Sequence, residues 1–279
     1  MHAWTVSELG DFLKTKRAAI APESVGLPAV GNPRRVRGLR REEVALLAAM
    51  SVDHYTRMEQ GRVTTASDSV LSGIATALRL SDDERTYLWM LAKPRTRGPV
   101  LPEPDGIDPG TRDLLDAMVH IPALVIDGRA DVLAWNDLAS ALFLDFSAIP
   151  RRERNLVRMM FLDPQVRRLF PGWEDVAAGA VARLRMDVGA LPGDRRLAEV
   201  VTELLTLDAD FRRWWGGYGV RETSTCRKVF DHPVVGRMEL DWQAMRLTAA
   251  MDRTLITYTA PAGSPAADAL RMLASWAAG

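Results

Sequence analysis

Residues 38–62 read Gly-Leu-Arg-Arg-Glu-Glu-Val-Ala-Leu-Leu-Ala-Ala-Met-Ser-Val-Asp-His-Tyr-Thr-Arg-Met-Glu-Gln-Gly-Arg, and this pattern predicts two short helices joined by a tight turn. The first helix is expected over residues 41–48, because Val44 and Leu47 recur at helical spacing. Ser51 is a suitable N-cap for the second helix, which would carry Tyr55 and Met58 inward. The stretch therefore predicts two packed amphipathic helices.

Such a pair is typical of a helix-turn-helix, whose second helix lies in the major groove of DNA. The predicted DNA contacts from this helix and its ends are Ser51, Val52, Asp53, His54, Thr56, Arg57 and Arg62. A cluster of arginines precedes the pair, and its members are Arg34, Arg35, Arg37, Arg40 and Arg41. We expect this cluster to contact phosphates or a minor groove, and the alternative is a solvated charged surface.

The charge distribution agrees with a DNA-binding N-terminal part. The formal net charge is zero, yet residues 1–98 carry a net charge of +4 and the remainder −4. Residues 93–110 contain five prolines and three glycines, which predicts a semi-rigid linker. We therefore expect a DNA-binding domain over residues 1–92 and a second domain over residues 111–279.

Several classes of protein are disfavoured by what the sequence lacks. No apolar run is long enough to span a bilayer and the N-terminus does not resemble a secretory signal, so a cytoplasmic protein without membrane association is expected. The four histidines have no metal-ligand spacing, and neither a nucleophile elbow nor a phosphate-binding glycine loop is present. We expect no enzyme, no metal site and no required cofactor. The single cysteine, Cys226, is interpreted as a small residue in a strand, with a redox sensor as the alternative.

The N-terminal part is predicted to form five helices. One begins after Ser7, and the last two are capped by Ser67 and by a capping box opening at Ser81. Residues 8–92 resemble the XRE family of lambda-type repressor DNA-binding domains, and the residues that carry the likeness are Ser51, Tyr55, Arg57, Met58, Glu59 and Gly61. The resemblance implies a buried ion pair between Arg17 and Glu59 and a phosphate contact from Arg41. It also implies base-reading positions at Val52, Asp53 and Arg57.

The C-terminal part mixes strands with helices. Strands are expected over residues 123–127 and 132–136, joined at an Asp127-Gly128 turn, and later over residues 237–242 and 253–258. Apolar stripes predict several helices between the strand pairs and a terminal helix from Ser264. The expected fold is mainly α with a smaller antiparallel sheet, in a PAS-like order.

This part is similar to the ligand-binding domain of MmyB-like transcription regulators. The likeness is carried by Trp135-Asn136, Arg154–Pro164, Phe211–Trp215, His232–Gly236 and Ser264–Trp276. It implies a PAS-like sheet whose helical cover encloses an apolar cavity, with fatty acids or related amphiphiles as ligands. This sequence has Tyr218 and Gly219 at two positions where members of the family frequently have a polar pair. The resemblance therefore leaves open whether the ligand is the same as theirs.

The candidate ligand-binding side chains are mostly aromatic or methionine, with one polar pair. They are Trp135, Phe143, Asn155, Arg158, Met159, Met160, Trp214, Trp215, Tyr218, Met238, Leu240 and Trp242. Ordinary core packing is the alternative for each apolar member. For Asn155 and Arg158 the choice lies between a carboxylate-binding pair and a helix cap beside a surface arginine.

These expectations together predict a sequence-specific transcription regulator. It would bind a near-palindromic double-stranded operator as a homodimer and sense a small apolar or amphipathic effector. The alternative is a DNA-binding protein whose C-terminal domain serves only dimerisation or docking of a partner protein.

Overall fold

The computed structural model describes residues 8–27, 38–92, 106–220, 225–248 and 252–277. Five α-helices form the N-terminal part: α1 (Glu8–Ala19), α2 (Arg41–Leu47), α3 (Val52–Glu59), α4 (Asp68–Ala77) and α5 (Asp82–Ala92). The predicted caps are present. Ser51 Oγ accepts a hydrogen bond from His54 N at 3.2 Å, and Ser81 and Glu84 exchange the two bonds of a capping box. The five-helix prediction is confirmed.

The N-terminal helices enclose one apolar core. Phe12, Tyr55, Met58, Ile74 and Tyr87 are all fully buried within it. A short turn follows α1. Residues Pro22–Val25 form a 3₁₀ turn, because the fixed φ of proline favours the first position of a helix and Gly26 ends the turn at positive φ.

The C-terminal part contains eight helices among the described residues. They are α6 (Pro109–Ala117), α7 (Asp137–Leu142), α8 (Leu156–Leu162), α9 (Pro164–Arg168), α10 (Trp173–Ala190), α11 (Arg195–Leu207), α12 (Ala209–Gly216) and α13 (Pro265–Ala277). The strands are β1 (Ala123–Asp127), β2 (Val132–Trp135), β3 (Thr225–His232), β4 (Gly236–Arg246) and β5 (Arg253–Thr259). The fold class of helices with a smaller antiparallel sheet is confirmed.

The five strands form one antiparallel sheet in the order β2-β1-β5-β4-β3, with β3 on an edge. One face, which we call the inner face, packs against the large helical layer through Phe230, Leu240 and Ile256. The other face carries a smaller cluster around Leu115 of α6. Both faces are therefore covered, and the inner face borders the large helical layer.

Three local expectations are corrected by the structure. For β3 the sequence analysis placed only Cys226 in a strand and gave no bounds, because the sequence there does not alternate between apolar and polar residues. Helix α6 begins inside the expected linker, because Asp108 caps it and Pro109 occupies its first turn. In the β1–β2 hairpin the residue with positive φ is Ala130, at 65°, rather than Gly128. The carboxylate of Asp127 accepts bonds from the backbone N–H of Arg129 and Asp131 and thereby shapes a longer turn.

Candidate DNA interface and ligand cavity

Helix α3 presents a polar surface beside a buried apolar one. Val52, Asp53 and Arg57 are exposed, while Tyr55 and Met58 on the opposite side are fully buried. His54 and Thr56 are half-buried at the margin, and Ser51 and Arg62 are exposed at the two ends. The side chains predicted to contact DNA thus share one accessible surface, the geometry that a recognition helix needs.

A buried ion pair holds α3 against α1. Arg17 Nε and Nη2 lie 2.9 and 2.8 Å from the two carboxylate oxygens of Glu59, as the family resemblance implied. Arg41 adds a third contact, with its Nη2 3.0 Å from Glu59 Oε1. Burial acts to raise the pKa of Glu59, but hydrogen bonds and charge from Arg17 and Arg41 hold it below its ordinary value. Glu59 is therefore a carboxylate that fixes the recognition helix in place.

The arginine cluster is described only in part. Arg34, Arg35 and Arg37 lie outside the described residues. Arg40 is half-buried, and its guanidinium is 3.9 Å from Glu42. The Arg41 side chain is 44% exposed despite its contact with Glu59, so a guanidinium edge is open to solvent at the start of α2. This end of α2 lies beside α3, where a phosphate contact is expected.

A cavity of about 500 Å³ lies between the inner face of the sheet and the helices α8 and α10. Of the predicted ligand-binding residues, Phe143, Met159, Met160 and Trp242 line it. Further apolar walls come from Ile256 and Tyr258 of β5 and from one side of α10. Pockets of this size are typical of small-molecule sites.

The polar pair of the sequence analysis does not line the cavity, and of its two interpretations the structure has the helix cap rather than the carboxylate-binding pair. Asn155 is fully buried, and its amide oxygen accepts bonds from the backbone N–H of Val157 and Arg158, so it caps α8. Its amide nitrogen donates to the backbone oxygen of Arg129. The Arg158 guanidinium is 3.0 Å from Glu203 and 3.1 Å from Glu153. Both side chains are therefore used in structural contacts.

Three apolar candidates do not line the cavity, because Met238 and Leu240 lie in the core and Trp135 is a half-buried residue packed against it. Met238 and Leu240 do project from the inner face, but they are 2% and 0% exposed and do not line the cavity. The Trp135 ring packs on Phe146 at 5.2 Å between ring centres. For these three the structure has ordinary packing, the alternative given in the sequence analysis, and not a place in the cavity wall.

Trp214, Trp215 and Tyr218 also lie away from the cavity. The Trp214 ring packs 5.6 Å from Trp173 in the helical layer. Trp215 and Tyr218 sandwich the guanidinium of Arg185, whose central carbon is 4.1 and 4.2 Å from the two ring centres. The Tyr218 ring also packs 6.4 Å from that of Phe12 in α1, so Trp215 and Tyr218 form part of a contact between the two halves of the chain.

Arg185 of α10 is the centre of that contact. It is fully buried, and its Nη2 donates to the backbone oxygen of Trp215. Its Nη1 lies 3.6 Å from Glu8 Oε1 in α1, and the same carboxylate oxygen accepts a 2.9 Å bond from the Tyr87 hydroxyl. One carboxylate of the N-terminal part thus contacts side chains from both halves.

Apolar packing reinforces this contact. Met186 is 4% exposed and belongs to the N-terminal core, although it lies on α10. A Cβ atom at Gly189 would lie 2.9 Å from a ring carbon of Tyr87, so glycine is needed for this approach. The same helix lines the cavity with Val176, Gly179 and Ala180. Helix α10 therefore contacts the cavity on one side and the N-terminal core on the other.

The charged groups at the cavity are mostly paired. Arg183 contacts Asp187 at 3.1 Å, and Arg227 contacts Asp241 at 3.0 Å. Burial, aided by the nearby charge of Asp131, raises the pKa of Asp127 to about 6. Sequence analysis did not identify these charged residues as part of a site.

Two further searches of the described residues gave negative results. No group of three or more histidine, cysteine, aspartate or glutamate side chains is arranged there to hold a metal ion. Within the same ranges, no helix combines the length and the apolar character that crossing a membrane requires.

A helix-turn-helix beside a second domain with an apolar cavity defines a ligand-responsive transcription regulator. Residues 8–88 match a helix-turn-helix domain, and residues 107–273 match the MmyB-like transcription regulator ligand-binding domain. Because the second match covers more than half of the sequence, the chain belongs to the MmyB-like family of transcription regulators. Both matched domains are regulatory. Among curated proteins, none matches this sequence.

Proposed function

We propose that the protein binds a near-palindromic DNA operator as a homodimer and that an elongated, fatty-acid-like effector in the cavity controls its affinity for that operator. Phe143, Met160 and Trp242 supply apolar walls for a hydrocarbon chain. The strand order β2-β1-β5-β4-β3, with helices over the inner face, supports a PAS-like sensor domain. Two-fold pairing of the chain would present two recognition helices to the two half-sites.

The two-sided position of α10 carries this proposal. A ligand that fills the cavity contacts Val176 and Ala180 on one side of the helix. Arg185 and Met186, one to two turns further along, contact the N-terminal part. Because an α-helix moves as a rigid unit over such a length, a shift at the cavity is transmitted to the DNA-binding half.

The effector would act by population shift. It can change operator affinity only if it binds more tightly to one arrangement of the two halves than to the other. A coupling of about 1–3 kcal/mol, corresponding to roughly a 5–150-fold change in affinity, is the usual range.

The test uses the full chain and an operator fragment selected from a random double-stranded DNA library. Fluorescence anisotropy measures operator affinity with and without dodecanoate, and hexanoate is the control because it is too short to fill the cavity. We expect dodecanoate to change the affinity at least about fivefold and hexanoate to leave it unchanged. Saturable dodecanoate binding without any change in operator affinity would contradict effector control.

A further inference from the structure

The inner-face residue Lys228 borders the cavity without a charged partner. Side chains alternate along a strand, so Lys228 lies on the same face as the buried residues Phe230 and His232. It pairs with Leu240 in the adjacent strand and lines the cavity. No acidic group within the described residues forms an ion pair with its ammonium group.

The other charges at the cavity are accounted for. Asp127 contacts Arg129 at 3.5 Å, Arg183 pairs with Asp187, and Arg227 pairs with Asp241. Asp175 lies in the first turn of α10, where a carboxylate stabilises the positive end of the helix dipole. Lys228 is therefore a cation that faces the apolar walls of the cavity and takes part in no ion pair among the described residues.

The segment that leads into α10 packs against β3, the strand that carries Lys228. The backbone N–H of Asp231 donates to the Leu169 oxygen at 2.8 Å, and the Phe170 and Phe230 rings are 4.9 Å apart, so the segment leading into α10 lies against β3. Gly172, the N-cap of this 18-residue helix, also lines the cavity and offers no side-chain acceptor to the first turn. Glu174 and Asp175 in the first turn offset the positive end of the helix dipole, so Lys228 is the cation at this wall that can bind an anion.

From this arrangement we infer that Lys228 binds the anionic head of the effector, so that the cavity selects long-chain anions over neutral lipids. The inference rests on the proposed ligand-sensing function and adds the residue and the charge that determine specificity. A hydrogen bond to a charged group in a partly desolvated site discriminates strongly against a neutral head. The effectors that Lys228 would select share an alkyl chain that ends in a carboxylate or a phosphate monoester.

The experiment compares three probes of equal chain length, dodecanoate, dodecyl phosphate and dodecanol, by quenching of tryptophan fluorescence in the full chain. We expect the parent protein to bind at least one anion about tenfold or more tightly than dodecanol. Lys228→Met should reduce this preference below about threefold and leave dodecanol binding unchanged, and Lys228→Arg should retain it. The matched control is Arg237→Met, which removes a cation from the opposite face of the sheet.

The outcomes separate the inference from the function on which it rests. Preference for dodecanoate or for dodecyl phosphate identifies the head group. Equal binding of anions and dodecanol by both the parent and Lys228→Met would overturn the role of Lys228 and leave ligand sensing in place. Failure of all three probes to bind the parent protein would overturn the ligand-sensing function and the inference with it.

Discussion

The guanidinium of Arg185 lies 3.6 Å from the carboxylate of Glu8, and this contact joins the cavity-lining helix to the first helix of the DNA-binding half. Arg185 is also sandwiched between the rings of Trp215 and Tyr218. A buried cation between two rings and a carboxylate is held in one geometry, because any displacement would leave its charge poorly compensated. Under the proposed function, this geometry would link ligand binding to the position of α1.

Arg185→Met should uncouple the two halves. Methionine fills much of the same volume without the charge, and Glu8, whose pKa is raised by burial, keeps its bond from the Tyr87 hydroxyl, so the fold should persist while the contact with Arg185 is lost. We expect unchanged dodecanoate binding and an operator affinity that no longer responds to dodecanoate, both measured by fluorescence titration. Arg195→Met, at a side chain 90% exposed, is the control. A full response to dodecanoate in Arg185→Met would place the coupling elsewhere.

Replacing Arg57 and replacing Arg41 should weaken DNA binding in different ways. Arg57→Ala should cost about 1–3 kcal/mol on the operator and relax discrimination at one base pair, because it removes a base contact. Arg41→Ala should weaken binding to all DNA alike and lower the salt slope by roughly one unit, because it removes a phosphate contact. Anisotropy titrations on operator and random DNA at several salt concentrations measure both. Equal losses on the two DNAs for both variants would contradict the assignment.

Replacing Arg34, Arg35 and Arg37 together by serine should flatten the salt dependence of DNA binding. Each lost phosphate contact lowers the slope by about 0.9, so three contacts predict a decrease of up to about 2.7. The melting temperature should stay unchanged if the cluster contributes nothing to the core. The slope comes from affinities measured between low and moderate salt. A salt slope equal to that of the parent protein would mean that the cluster faces solvent and makes no phosphate contact.

Met160→Trp should block the cavity and leave DNA binding by the ligand-free protein intact. Met160 is half-buried and lines the cavity, so a larger ring can occupy open space with little strain. Calorimetry should detect dodecanoate binding in the parent but not in the variant. The control is Met272→Trp, at a side chain 65% exposed. A loss of about 1–3 kcal/mol of stability, together with no dodecanoate binding by the parent, would indicate ordinary core at this site.

Glu59→Gln should destabilise the protein at neutral pH by about 3 kcal/mol, because Arg17 would keep its buried charge without a counterion. The pKa of Glu59 is below its ordinary value of 4.5, so its stabilising contribution is complete above that pH and is lost as the pH falls through the lowered pKa. Urea unfolding between pH 7 and pH 3 should show the gap to the parent protein narrowing. Glu42→Gln, at a carboxylate 60% exposed, is the control. A gap independent of pH would contradict the assignment.

The N-terminal fold was predictable because its signals are local. Ser51 and Ser67 mark helix starts, and the spacing of Tyr55 and Met58 gives the buried side of α3. The pair between Arg17 and Glu59 came from the family resemblance, since residues 42 positions apart carry no local signal of contact.

The cavity was predicted only in part because its wall depends on how distant elements pack. Met160 and Trp242 line it, yet Trp215 and Tyr218, equally aromatic in sequence, lie at the contact between the halves. Amino-acid composition does not distinguish a place in the cavity wall from a place at the contact between the halves. Lys228 was missed because β3 lacks the alternation that would have placed its side chain on the inner face.

Gly189 approaches Tyr87 closely, and Met186 is embedded in the N-terminal core. Because of these contacts, the two halves of this regulator cannot be freely exchanged as independent domains. A chimera that joins this sensor to another DNA-binding domain would need a matching recess for α10. Without one, an apolar helix surface and a buried arginine would meet water, and the fusion would be prone to aggregate. Recombination between regulators of this kind would therefore have to exchange the facing surfaces of both halves together.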